Sequence, residues 1–161
     1  MTINQKITPC LWFNNNGEEA IDYYLSIFPN SKIINSSRYG DNSPLPKGTM
    51  LAATFELSGV QFMALNGGPA FPFTEAISLM VNCENQQEID TLWEKLSSDG
   101  GSTSQCGWLK DKYGLSWQIV PVKIGELLSE KNPTKSAAVM NAVMKMQKLI
   151  IADIEKAYNA A

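Results

Sequence analysis

The chain has 161 residues, enough for one domain or two small fused modules, with a net charge of −3 and a pI near 5.0. It has no basic run, which disfavours nucleic acid and anionic membrane as partners, and no stretch apolar for long enough to span a bilayer. It also has no histidine, which removes the usual general base, the Ser-His-Asp arrangement and the commonest transition-metal ligand.

Taken in chain order, Ile7 to Phe13 reads as a strand, with Thr8, Cys10 and Trp12 on one face and Leu11 and Phe13 on the other. Asn16 is placed to cap a helix, with Glu19 spaced for a capping box, and Ala20, Tyr24 and Ile27/Phe28 forming the buried face. Pro29-Asn30 ends it. Lys32 to Tyr39 reads as a strand and Gly40 to Gly48 as a loop. Met50 to Leu57 and Val60 to Leu65 form a hairpin about Ser58-Gly59. The segment from Asn66 to Phe73 has four Gly or Pro residues and is irregular. Its two aromatics, Phe71 and Phe73, need a cover.

The pattern then recurs. Ile77 to Cys83 is a strand, and Asn85 caps a helix with Glu88 three residues on. Ile89, Leu92, Trp93 and Leu96 mark that helix's core face, and Asp99-Gly100-Gly101 stops it. A short strand near Ser102 to Gln105 leads into a tryptophan-rich hairpin. Its strands are Trp108 to Lys110 and Leu115 to Val120, with the turn at Asp111 to Gly114. Alternation puts Ser116, Gln118 and Val120 on one face and the core residue Trp117 on the other. Gly59-Val60-Gln61-Phe62-Met63 matches Gly114-Leu115-Ser116-Trp117-Gln118, so the chain holds an internal repeat of strand–helix–three strands. Ile124 to Glu130, a helix begun by Asn132-Pro133, and Ala152 to Tyr158 make a helical tail. Ala137, Met140, Val143, Met144 and Met146 give the middle one an apolar stripe.

Charged residues make up 18% of the chain, below the ~25% usual for globular proteins. Part of the surface is therefore expected to be covered, most economically by a second copy in a homodimer. Cys10, Cys83 and Cys106 are odd in number and widely spaced, which suits free, inert thiols in a reducing cytoplasm and no zinc-type cluster. The first residues, Met1 to Lys6, do not read as a signal peptide. Arg38, Glu56 and Asp111 are expected at solvated positions.

The strings Ile7-Thr8-Pro9-Cys10-Leu11-Trp12-Phe13, Leu65-Asn66-Gly67-Gly68-Pro69, Val81-Asn82-Cys83, Cys106-Gly107-Trp108-Leu109-Lys110-Asp111 and Trp117-Gln118 carry a resemblance. The chain resembles the PhnB-like family, labelled 3-demethylubiquinone-9 3-methyltransferase, within the vicinal oxygen chelate (glyoxalase/bleomycin-resistance) superfamily. The resemblance implies an α+β fold of two βαβββ modules, residues about 5–74 and 75–122; residues 123–161 read as a helical C-terminal extension, part of the same domain or a clamp in a dimer. It further implies sheets that combine, usually in a dimer, into ligand-holding barrels.

Superfamily metal positions carried onto this chain fall on Thr8, Met63, Ser78 and Gln118. That set has no anion and no imidazole, so a resident divalent metal is not expected. Where relatives often carry His and Lys in the loop after Asn-Gly-Gly-Pro, this chain has Ala70 and Pro72. The ligand-binding candidates are Thr8, Cys10, Trp12, Met63, Asn66, Phe71, Ser78, Trp108 and Gln118. They suit an apolar or aromatic small molecule oriented by an amide. The expected function is metal-independent binding of a small molecule, without a cofactor. The alternative is the labelled methyl transfer from S-adenosylmethionine to a demethylated ubiquinone precursor. Against it, no glycine-rich loop follows the first strand.

Overall fold

The computed structural model describes residues 5–161. The fold is α+β, and the chain divides into two compact units, one ending at Pro72 and one running from Phe73 to Ala161.

The first unit holds β1 (Cys10–Phe13), α1 (Gly17–Ile27), β2 (Lys32–Arg38), β3 (Met50–Leu57) and β4 (Val60–Asn66) in a sheet ordered β1-β4-β3-β2. β1 lies parallel to β4; the other neighbours are antiparallel. β1 starts at Cys10 and not at Ile7. Pro9 has no N–H to donate, although its carbonyl accepts the Met63 N–H at 2.9 Å. Leu11, Phe13, Phe55, Phe62 and Ala64 are buried on the helix side with Ala20, Ile21 and Tyr24 of α1. Cys10, Trp12 and Met63 lie on the opposite, open face.

The expected Asn16–Glu19 capping box is not what starts α1. The Asn16 side chain makes no cap hydrogen bond. Instead Asn66 Oδ1, at the end of β4, accepts the Gly17 N–H at 2.8 Å. A first-turn donor is thus satisfied from a neighbouring strand.

The second unit repeats the topology with β5 (Ser78–Cys83), α2 (Gln86–Ser97), β6 (Ser102–Thr103), β7 (Trp108–Lys110) and β8 (Ser116–Pro121), ordered β5-β8-β7-β6. Here the expected cap forms: Asn85 Oδ1 accepts the Glu88 N–H at 2.9 Å, and the Glu88 carboxylate accepts the Glu84 N–H. Leu109, Trp117 and Ile119 are buried on the helix side with Ile89, Leu92 and Leu96. Trp93 is only half-buried, one position off that stripe. The repeat extends to register. Met63 stands opposite Cys10, and Gln118 opposite Met80.

The tail packs α3 (Val122–Ser129), α4 (Pro133–Val143) and α5 (Ile151–Asn159) around Leu127, Val139, Val143, Leu149, Ile154 and Tyr158. Only part of the expected stripe faces this core: Val143 is buried in it and Met146 packs against it. Val139 and Val143 face inward, whereas Met140 and Met144 are exposed, Met144 by 64%. The tail is tied to the second unit by backbone. Cys106 N–H donates to Met146 O at 2.7 Å and Gly107 N–H to Gln147 O at 2.8 Å. Gln86 adds a clamp, donating to Leu149 O and accepting the Ile151 N–H. Among the described residues, no helix is long and apolar enough to cross a membrane.

Candidate functional site

The open face of the second unit carries three of the candidate residues, Ser78, Trp108 and Gln118, in hydrogen-bonding or ladder contact. On β8, Ser116 and Gln118 point to this face because Trp117 and Ile119 are taken by α2. Gln118 Nε2 donates to Ser78 Oγ at 2.8 Å, joining β8 to β5 by side chains. Trp108 of β7 stands opposite Gln118, and so does Met80 of β5 on the other side. One ladder row therefore runs Trp108–Gln118–Met80. Met80 is 56% exposed, an apolar side chain open to solvent. A shallow groove of about 270 Å³ lies beside Trp108 and Lys110, walled by Glu75, Ser102 and Ser104.

The first unit's open face is more apolar. The Trp12 indole N–H donates to Gly68 O at 2.8 Å, and the Phe71 ring meets Trp12 edge-on at 5.0 Å between centroids. Phe71 thus gains a partial cover from Trp12. Cys10 and Met63 sit opposite each other on the same face. Burial raises the Cys10 thiol above its ordinary value, so its thiolate is scarce at neutral pH.

Two candidates lie elsewhere. Asn66 is buried on the helix side, 1% exposed, and both ends of its amide are committed: Oδ1 to Gly17 N–H, Nδ2 to Met50 O at 3.0 Å. It holds α1 in place and has no free group to offer a ligand. Thr8 is exposed and precedes β1, so no strand fixes its side chain. The residues that sequence reasoning passed over are Lys110 and Ser116, both on the open face of the second unit. Their alternation with Leu109 and Trp117 was the available clue. Asp111, expected in solvent, is buried at 2% exposure. Its carboxylate accepts the N–H groups of Tyr113, Leu115 and the Trp117 indole. Arg38 is exposed as expected and pairs with Glu18 of α1.

The family model described as 3-demethylubiquinone-9 3-methyltransferase matches residues 5–120. The chain belongs to that family. A PhnB protein of Bacillus cereus, whose name carries the same label, is 42% identical with a TM-score of 0.68. The likeness covers 73% of this chain and 99% of that one. Protein PA1353 of Pseudomonas aeruginosa shares the fold at 24% identity and a TM-score of 0.60, over 73% of this chain and 98% of that one. The fosfomycin resistance protein FosX of Listeria monocytogenes, solved with Mn(II) and sulfate, shares it at 15% identity and a TM-score of 0.55, over 81% and 100% of the two chains. The fold is therefore that of the glyoxalase/bleomycin-resistance proteins. No curated protein matches the chain. The family match ends before α3, so the helical tail lies outside it.

Neither group that the family and fold imply fits the residues present. For a divalent metal, the positions that the resemblance assigns are Thr8, Met63, Ser78 and Gln118. Ser78 and Gln118 are hydrogen-bonded to each other. Among the described residues, no three of His, Cys, Asp or Glu come together to hold an ion. For S-adenosylmethionine, Gly67-Gly68 is the glycine pair at a strand end, but its amides donate to Phe13 O and Asn14 O, and Gly68 O accepts from Trp12. That glycine pair therefore has no free N–H to cradle a ligand.

Proposed function

We propose that the protein binds a flat, apolar small molecule without a resident metal, on the open face of the second unit around Trp108, Met80, Gln118 and Ser78. The observation that carries this reading is the Gln118–Ser78 hydrogen bond at 2.8 Å beside Trp108 and the exposed Met80. An indole and a thioether supply stacking surface, and one amide with one hydroxyl supplies orientation. The donor set supports the metal-independent part, since hydroxyls, a thioether and a neutral amide are poor ligands for a divalent ion. The apolar residues left exposed on the strands, Met63 and Met80 among them, support assembly as a homodimer.

The test is titration with N-phenyl-1-naphthylamine, a neutral aromatic fluorophore. Saturable binding is expected, weakened about tenfold or more by Trp108→Ala, since aromatic stacking contributes up to ~1.5 kcal/mol beyond area. Absence of saturable binding, or identical binding by the variant, overturns the proposal. Manganese added to EDTA-treated protein is expected to leave the melting temperature unchanged. A saturable rise overturns the metal-independent part.

A further inference from the structure

Next to the Trp108–Gln118–Met80 row, the ladder pairs Ser102 with Lys110, Lys110 with Ser116, and Ser116 with Ser78. One row across the open face therefore holds an ammonium group among three hydroxyls. Ser116 is 1% exposed, yet its hydroxyl makes no hydrogen bond. Buried polar groups are nearly always paired, so a donor left in this way points to a missing acceptor. Ser78 Oγ accepts from Gln118, which leaves its own O–H proton to give. Lys110 lines the groove, where its ammonium meets the carboxylate of Glu75. The two side chains are 39% and 62% exposed, and Glu75 lies in an irregular segment before β5. Such exposed pairs contribute little and are readily exchanged.

We propose that this row is an acid-binding subsite. The ligand carries one acidic group (carboxylate, sulfonate or phosphate), which displaces Glu75 from Lys110 and accepts hydrogen bonds from Ser116 and Ser78. Its rings lie along the Trp108–Met80 row. The inference rests on the reading of that face as a site for a flat apolar molecule, and it adds the class of ligand. The groove of about 270 Å³ beside Trp108 and Lys110 leaves room for an acidic head at the Lys110 end of this row.

Two probes that share a skeleton test it. 8-Anilinonaphthalene-1-sulfonate bears the acid; N-phenyl-1-naphthylamine lacks it. The sulfonate is expected to bind about tenfold or more tightly than the neutral probe, the range of a hydrogen bond to a charged group. Lys110→Gln is expected to erase that preference while leaving the neutral probe's affinity, and so the folded site, intact. Glu75→Gln, which removes the competing carboxylate, is expected to tighten the sulfonate alone. Ser116→Ala is expected to weaken the sulfonate several-fold. Equal affinities for the two probes, or a preference that survives Lys110→Gln, overturn the acid subsite and leave the apolar site standing. Failure of both probes to bind overturns both readings.

Discussion

The Trp117 indole N–H donates to Asp111 Oδ2 at 2.8 Å, across the turn that joins β7 to β8. The same carboxylate accepts the N–H groups of Tyr113 at 2.9 Å and Leu115 at 3.1 Å through its other oxygen. One buried carboxyl group thus closes the turn and anchors the central core residue of the second unit. Asp111→Ala would orphan three donors. It is expected to cost about 3–5 kcal/mol, since each buried unsatisfied donor costs about 1–3 kcal/mol with some relief by rearrangement. Asp111→Asn keeps an acceptor and is expected to cost less than half as much. Urea unfolding measures both; a loss under about 1 kcal/mol for the alanine variant rejects this account.

Gly67 and Gly107 should answer differently to alanine. A Cβ at Gly67 would stand 2.2 Å from the Trp12 ring, the far end of a side chain that can swing away. The expected cost is about 1–2 kcal/mol, for the lost indole hydrogen bond to Gly68 and part of the Phe71 contact. Gly107 has φ +82, and a Cβ there would meet the Ile119 carbonyl oxygen at 2.7 Å and Leu149 at 3.1 Å. Backbone cannot yield so easily, and the left-handed conformation adds its own penalty. Gly107→Ala is expected to be the more damaging, by about 1 kcal/mol or more. Equal melting temperatures for the two variants contradict this ordering.

Burial, followed by the nearby Glu88 carboxylate, pushes the Cys83 thiol from 9.0 up to about 12. Because the folded state holds the proton more tightly, this thiol's contribution is fully present below pH 9. It is lost as the pH rises toward 12, where the unfolded chain has already ionised. Wild-type protein should therefore lose stability faster than Cys83→Ala between pH 9 and 12 in parallel denaturant titrations. Parallel curves count against it. At pH 8, a thiol reagent should reach the exposed Cys10 in the native protein and Cys83 only on unfolding.

Gln86 joins α2 to the tail, donating to Leu149 O at 3.1 Å and accepting the Ile151 N–H at 2.9 Å. Gln86→Ala should cost about 1–3 kcal/mol and leave the rest of the second unit folded. Hydrogen exchange should accelerate first at Ile151 and in α5. Uniform acceleration over β5 and β8 instead would show that tail and sheet unfold as one unit.

Local pattern determined much of this protein. Alternation along β4 and β8 assigned Phe62 and Trp117 to the core side and Met63 and Gln118 to the open side, because strand geometry leaves no other choice. The Asn85 cap and the hairpin about Ser58-Gly59 were legible for the same reason: their partners lie within a few residues. The internal repeat and the family strings then gave the two βαβββ modules. What the sequence did not decide is what pairs with what at long range. Asn66 looked like a pocket amide, but it is spent on Gly17 and Met50, 49 and 16 residues away. The apolar stripe of α4 was visible, yet whether Met140 or Val139 faced inward depended on how three helices met. Lys110 and Ser116 read as ordinary polar strand residues. Only the register of β5, β7 and β8 put them in one row with Ser78, because a row across a sheet joins residues with no sequence relation.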